Sequence, residues 1–175
     1  MLEIFAAAVF VMISRNDPIT LEKQSALAVE QDGHLLMLAC RPGKDEILIN
    51  FIPRGYQGPQ SVLSSTLSGV QSRFGVQDSP NSVHWDVGSD SLSYGAVKFG
   101  GVGAKAKFLD NLVQSEEFNL RYSILDGKSE TITIQYELDP VKLKSFIALC
   151  NPKGVIKKLR DIKSQAAPDQ TSVRT

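Results

Sequence analysis

Two segments late in the chain constrain its fold more than anything else in it. Phe118, Leu120, Tyr122 and Ile124 alternate with polar residues, and Ile132, Ile134, Tyr136 and Leu138 do the same. A period of two places apolar side chains on one face of a strand and polar ones on the other, and Asp126-Gly127-Lys128 between the segments supplies turn chemistry. The pair reads as an antiparallel hairpin with one wet face, whose dry face has to be covered by another layer.

Similar signals recur upstream. Leu27 and Val29 sit two apart before the turn pair Asp32-Gly33. His34 to Arg41 is a continuous apolar run ending at Pro42-Gly43-Lys44, and Ile47, Ile49 and Phe51 alternate beyond it. These predict a meander of three strands. Val70, Ser72 and Phe74 alternate, as do Val83, Trp85 and Val87, and the turn formers between them predict a further hairpin, followed by a short strand from Leu92 and Tyr94 to Phe99. Residues 53 to 69 hold no sustained period and read as a surface loop.

Two segments have helical spacing. Val102, Ala106, Leu109 and Val113 line one helix face, widened by Phe108 and Leu112. Asp139-Pro140 opens the other helix, with Asp as cap and Pro in the first turn, and Leu143, Phe146, Ile147 and Cys150 form its apolar stripe. Asn151-Pro152 and Gly154 interrupt it, and a shorter basic helix to Lys163 follows. The expected fold is mainly β (α+β), with antiparallel sandwich-like sheets, one middle helix and one C-terminal helix. Its expected parts are an apolar amino-terminal segment at 1–24, a single β-rich domain at 25–150, and a basic helix and tail at 151–175.

The 175 residues balance 19 Lys and Arg against 19 Asp and Glu, so no global excess of positive charge draws the chain to nucleic acid. The charge is uneven, however. Residues 151–175 hold 6 basic and 2 acidic side chains, which reads as a solvated helix end or a contact with anionic lipid or an acidic partner. The apolar run from Leu2 to Ile13, broken by Glu3, is too short to span a bilayer. It has the length of a secretory hydrophobic region without the basic leader, so it reads as a clipped signal or as a buried or membrane-associated element.

Cys40 shares a strand face with Leu36 and Leu38, and Cys150 lies on the apolar stripe of the final helix, so both sulfurs point toward one core. They form a disulfide in an oxidising compartment, or they remain two buried thiols acting as small apolar groups.

Chemistry-bearing patterns are weak. Lys98-Phe-Gly-Gly-Val-Gly-Ala-Lys105 precedes a helix but lacks the Ser or Thr that a phosphate loop places after its lysine. No Gly-x-Ser-x-Gly elbow accompanies His34 or His84, and no Cys or His spacing suits a metal. Glu116 and Glu117 are adjacent and point to opposite faces, which does not suit a cooperating acid and base. No catalytic, cofactor or metal residue is expected. Trp85 reads as a core residue, and Arg54 and Tyr56, in the loop, are the candidate partner-binding residues.

With these segments laid out, residues 25–150 resemble the exported type VI secretion system-associated accessory proteins of the VasI/TagO kind. The resemblance rests on Leu38-Ala-Cys40 followed by a turn and strand, on Arg73-Phe74 followed by Val83-His-Trp85, on Lys107-Phe-Leu-Asp-Asn-Leu112, and on Ser145-Phe-Ile-Ala-Leu-Cys150 after the hairpin. It implies an envelope-facing, periplasmic accessory domain with Cys40 bonded to Cys150 and no catalytic residues. The tryptophan often found before the first strand in that family is absent here. The functional expectation is a non-enzymatic exported domain that binds a protein partner in the envelope, through the 53–69 loop or a sheet edge. The alternative is a small enzyme or enzyme inhibitor with a site built from loops.

Overall fold

A computed structural model of the chain describes residues 7–16, 23–40, 47–55, 70–75, 85–87, 92–94, 101–123, 129–150 and 153–166. Ten strands and three helices follow in the order β1 (Ala8–Val9), β2 (Val11–Asn16), β3 (Lys23–Gln31), β4 (His34–Cys40), β5 (Leu48–Ile52), β6 (Gln71–Phe74), β7 (Trp85–Val87), β8 (Leu92–Tyr94), α1 (Gly101–Gln114), β9 (Glu117–Ser123), β10 (Ser129–Glu137), α2 (Pro140–Cys150) and α3 (Lys153–Ala166). They form a four-stranded sheet, β1-β10-β9-β6, and a six-stranded sheet, β2-β3-β4-β5-β8-β7. The fold is mainly β with packed helices, as the alternating patterns predict.

The hairpin that anchors the reading is β9–β10, antiparallel, with Ile132 opposite Leu120 and Ile134 opposite Phe118. These four side chains are buried. The meander β3–β4–β5 is equally regular, with Leu27 opposite Leu38 and Leu38 opposite Ile49 on the inner face. Asp32 and Gly33, both at positive φ, make its first turn, the backbone geometry that matches the twist of a two-residue hairpin.

Rings from both layers meet in the middle. Phe51 of the six-stranded sheet lies 5.9 Å from Phe118 of the four-stranded sheet, and Phe108 of α1 lies 4.8 Å from Phe74 and 5.9 Å from Phe118. A buried aromatic residue contributes roughly 1.5–3 kcal/mol by removal from water alone.

One backbone segment belongs to both sheets. β1 pairs with β10, the parallel pairing in an otherwise antiparallel arrangement, and β2 pairs with β3. Between them Phe10 is fully buried against Tyr136 at 5.4 Å. Its N–H donates to Glu137 O at 3.2 Å, and its carbonyl accepts from Lys142 Nζ at 3.2 Å. The side chain from α2 thus satisfies a carbonyl at the point where the chain changes sheets, a group that would be costly to leave unpaired. Residues 8–16 therefore belong to the sheets, although composition sets 1–24 apart from the body.

Three expectations are corrected. The segments 70–74 and 83–87 do not pair with each other: β6 pairs with β9 and β7 with β8. They face one another across the layers instead, with Trp85 Nε1 donating to Ser72 Oγ at 2.7 Å. Val102 and Val113 are about half exposed, because the buried face of α1 consists of Ala106, Phe108, Leu109 and Leu112 and the two valines lie near its ends. Val102 turns toward α3, where its Cγ1 lies against Gly154. Finally, the basic helix is not short: α3 spans 14 residues and packs on α1, with Val155 buried and Leu159 partly so. In α2 the cap is as expected, since Val141 N donates to Asp139 Oδ1 at 2.8 Å.

Candidate functional site

Cys40 at the end of β4 and Cys150 at the end of α2 are joined in a disulfide, with Cα atoms 5.7 Å apart and 110 residues of separation. Both residues are buried. The bond fixes α2 to the sheet whose outer face carries a surface depression.

That depression follows from register. Across four adjacent strands, Ile13, Ala26, Ala39 and Leu48 form one row on the outer face. Two alanines in the central strands lie between two large residues on the flanking strands, so the face sinks along β3 and β4 and rises at β2 and β5. Met37, opposite Ala28, stands in the next row. The resulting trough has a volume of about 360 Å³ and is lined by Ile13, Gln24, Ser25, Ala26, Met37, Ala39, Cys40 and Leu48, with no ionisable side chain among them. Ile13 is 50% and Leu48 44% exposed, and Val11 beside them 55%. A solvent-facing sheet surface normally carries polar residues; contiguous exposed apolar surface commonly marks an interaction site. β2 is also an edge strand of its sheet, paired among the described residues with β3 on one side.

The outer face of the four-stranded sheet is the opposite in character. Gln71 and Arg73 of β6, Glu117, Asn119 and Arg121 of β9, and Thr131, Thr133 and Gln135 of β10 share it. Thr133 Oγ1 donates to Asn119 Oδ1 at 2.7 Å, while Asn119 Nδ2 and Gln135 Nε2 donate to the two carboxylate oxygens of Glu117 at 2.5 and 2.8 Å.

Of the candidate contact residues, Arg54 is exposed just after β5. Its backbone N–H donates to His34 Nδ1 at 3.0 Å, which requires that nitrogen to be unprotonated. His34 stacks on Phe51, and burial lowers its pKa below the ordinary 6.5, with Glu130 acting in the opposite direction and Arg54 adding to the lowering. Arg54 carbons lie close over Gly33, so the arginine stem rests on the β3–β4 turn. Tyr56, His84 and the Lys98 end of the glycine-rich stretch lie outside the described residues. Trp85 is buried, as a core residue should be. Tyr136 donates its hydroxyl to Leu112 O at 3.0 Å, and burial pushes its pKa up, which keeps it a donor. Among the described residues no helix is long and apolar enough to cross a membrane, and no His, Cys, Asp or Glu group is arranged to hold a metal.

The alanine-floored trough escapes sequence reading because its four residues are scattered from 13 to 48. Two partial signals exist: the uninterrupted apolar run of β4, and the small residues Ala26 and Ala28 alternating with Leu27 and Val29. No protein-family model, curated protein or solved structure matches this chain.

Proposed function

We propose that this chain is a non-enzymatic, disulfide-stapled binding domain that acts outside the cytoplasm and holds an apolar extended segment of a protein partner in the trough between β2 and β5. The observation that carries the reading is the row Ile13–Ala26–Ala39–Leu48, which sets a groove with no ionisable side chain among its described lining residues beside an edge strand. A segment lying over β3 and β4 rests its apolar side chains on the two alanines, between the walls formed by Ile13 and Leu48.

Export is supported by the Cys40–Cys150 bond, because such bonds persist in oxidising compartments. With residues 8–16 built into the sheets, the amino-terminal apolar run adds nothing to that argument. An envelope partner, and a role beside a type VI secretion machine, are the most specific form of the proposal and follow from the resemblance noted for residues 25–150.

The test is position-specific photo-crosslinking in native cells. A crosslinker at position 13 or 48 is expected to capture the same envelope protein, and one at Thr133 on the opposite sheet is not. Leu48→Glu should abolish the adduct at position 13. Equal capture from all three positions, or no envelope protein from 13 and 48, would overturn the proposal.

A further inference from the structure

The polar sheet holds two guanidinium groups that form no ion pair among the described residues. Arg73 on β6 is opposite Asn119, and Arg121 on β9 is opposite Gln71, so the two arginines are diagonal neighbours on one face, roughly 7–8 Å apart. Like charges so placed repel unless something lies between them. Glu117, on the same face of β9, keeps its negative charge while its two oxygens accept from the neutral amides of Asn119 and Gln135. Asn119, which separates Glu117 from Arg121, turns its carbonyl oxygen to Thr133.

Arg121 is held in place rather than neutralised. Its Nε donates to Thr131 Oγ1 at 3.2 Å on the neighbouring strand, which fixes the guanidinium plane and leaves the terminal nitrogens to donate elsewhere. Arg73 is exposed and forms no ion pair among the described residues. A concavity of about 140 Å³, lined by Gln71, Ser72, Arg73, Asn119, Leu120, Arg121 and Thr131, opens over this part of the sheet. That is about the space of four or five liquid water molecules, enough for one oxyanion group.

We propose that Arg73 and Arg121 form a binding site for a dianionic oxyanion of the phosphate class, received on the outer face of β6 and β9, with Thr131 as a positioning residue. Two guanidinium groups match a double negative charge, and each presents its donors as a planar fork suited to paired oxygens. Both arginines stand on strands, and Arg121 is already oriented, so less ordering is required on binding than for a loop-borne pair. The site lies on the other sheet from the apolar trough and is independent of it.

The probe is inorganic phosphate, titrated at constant ionic strength against the ¹⁵N-labelled protein, with chloride as the control. Expected are saturable shifts at Arg73, Arg121 and their strand neighbours, at least fivefold weaker in Arg73→Gln or Arg121→Gln and weakened less in Thr131→Val. These side chains point away from the core, and unchanged melting temperatures verify that the variants fold. Glycerol phosphate separates the sources of the group: equal affinity to inorganic phosphate identifies free phosphate, and tenfold tighter binding at the same residues identifies a phosphoryl group carried on a larger molecule. Shifts that match those of chloride, or that survive in the double variant, would overturn the assignment.

Discussion

Reduction of the Cys40–Cys150 bond offers the most quantitative check on the fold. The bond closes a loop with a sequence separation of 110 residues, and the chain-entropy relation assigns such a closure about 5 kcal/mol at 25 °C. The native state loses little of its own when the bond opens, because both cysteines are buried in apolar company and two thiols occupy nearly the same space. Phe146 and Leu143 still seat α2 on the core. The effect is therefore expected to reside in the unfolded chain. With a urea slope of about 2 kcal/mol/M the denaturation midpoint should fall by roughly 2 M on reduction, and the melting temperature by about 10–20 °C. The assay is urea denaturation followed by far-ultraviolet circular dichroism, on oxidised protein and on protein reduced in denaturant and refolded with reductant present. Intact mass should rise on denaturing reduction by the mass of a pair of hydrogens. Superimposable midpoints, or an unchanged mass, would refute the reasoning.

Two further outcomes follow from individual hydrogen bonds. The pKa of His34 is lowered on folding from its ordinary 6.5, so the unfolded chain takes up the proton first as pH falls. The stability due to this group is complete above pH 6.5 and is lost as pH falls from there through the lower folded-state pKa; urea midpoints between pH 8 and 5 should show that slope, and His34→Gln should flatten it. Trp85→Phe removes the donor to Ser72 Oγ inside the protein, at an expected cost of about 1–3 kcal/mol. Adding Ser72→Ala should then cost little more, and full additivity of the two substitutions in thermal melts would exclude the bond.

Much of the architecture is legible in the sequence where one face of a strand is wet. β9 and β10 are plain because polar residues mark every outward position, and the cap at Asp139 is plain because its signal is local. Pairing is less legible. The turn-forming residues between Phe74 and Val83 suggest a hairpin, yet the partners of β6 and β7 are decided by which layer each strand's buried side chains join, and Ser72 and Trp85 face each other rather than lie side by side. Helical periodicity locates α1 but not the limits of its buried face, which depend on where the neighbouring layer ends. Residues 8–16 mislead for a different reason: Val9, Val11 and Ile13 are apolar on the solvent side, so the segment lacks the alternation that reveals a strand. The candidate surfaces are the least legible part. The trough and the arginine pair both arise from residues brought side by side by register across separate strands, and no linear spacing encodes them.

The change of sheet at Phe10 has a mechanical consequence. Two stacked sheets joined along one rim can part like the covers of a book, with water entering from the free side. Here a continuous backbone stitches one rim, where Gln135 N also bonds Gln31 Oε1 between β10 and β3. The indole-to-serine bond between β7 and β6 clasps the other. Fastened at both rims, the layers have no spine to swing on, so separating them means undoing the aromatic centre and a rim together rather than in sequence.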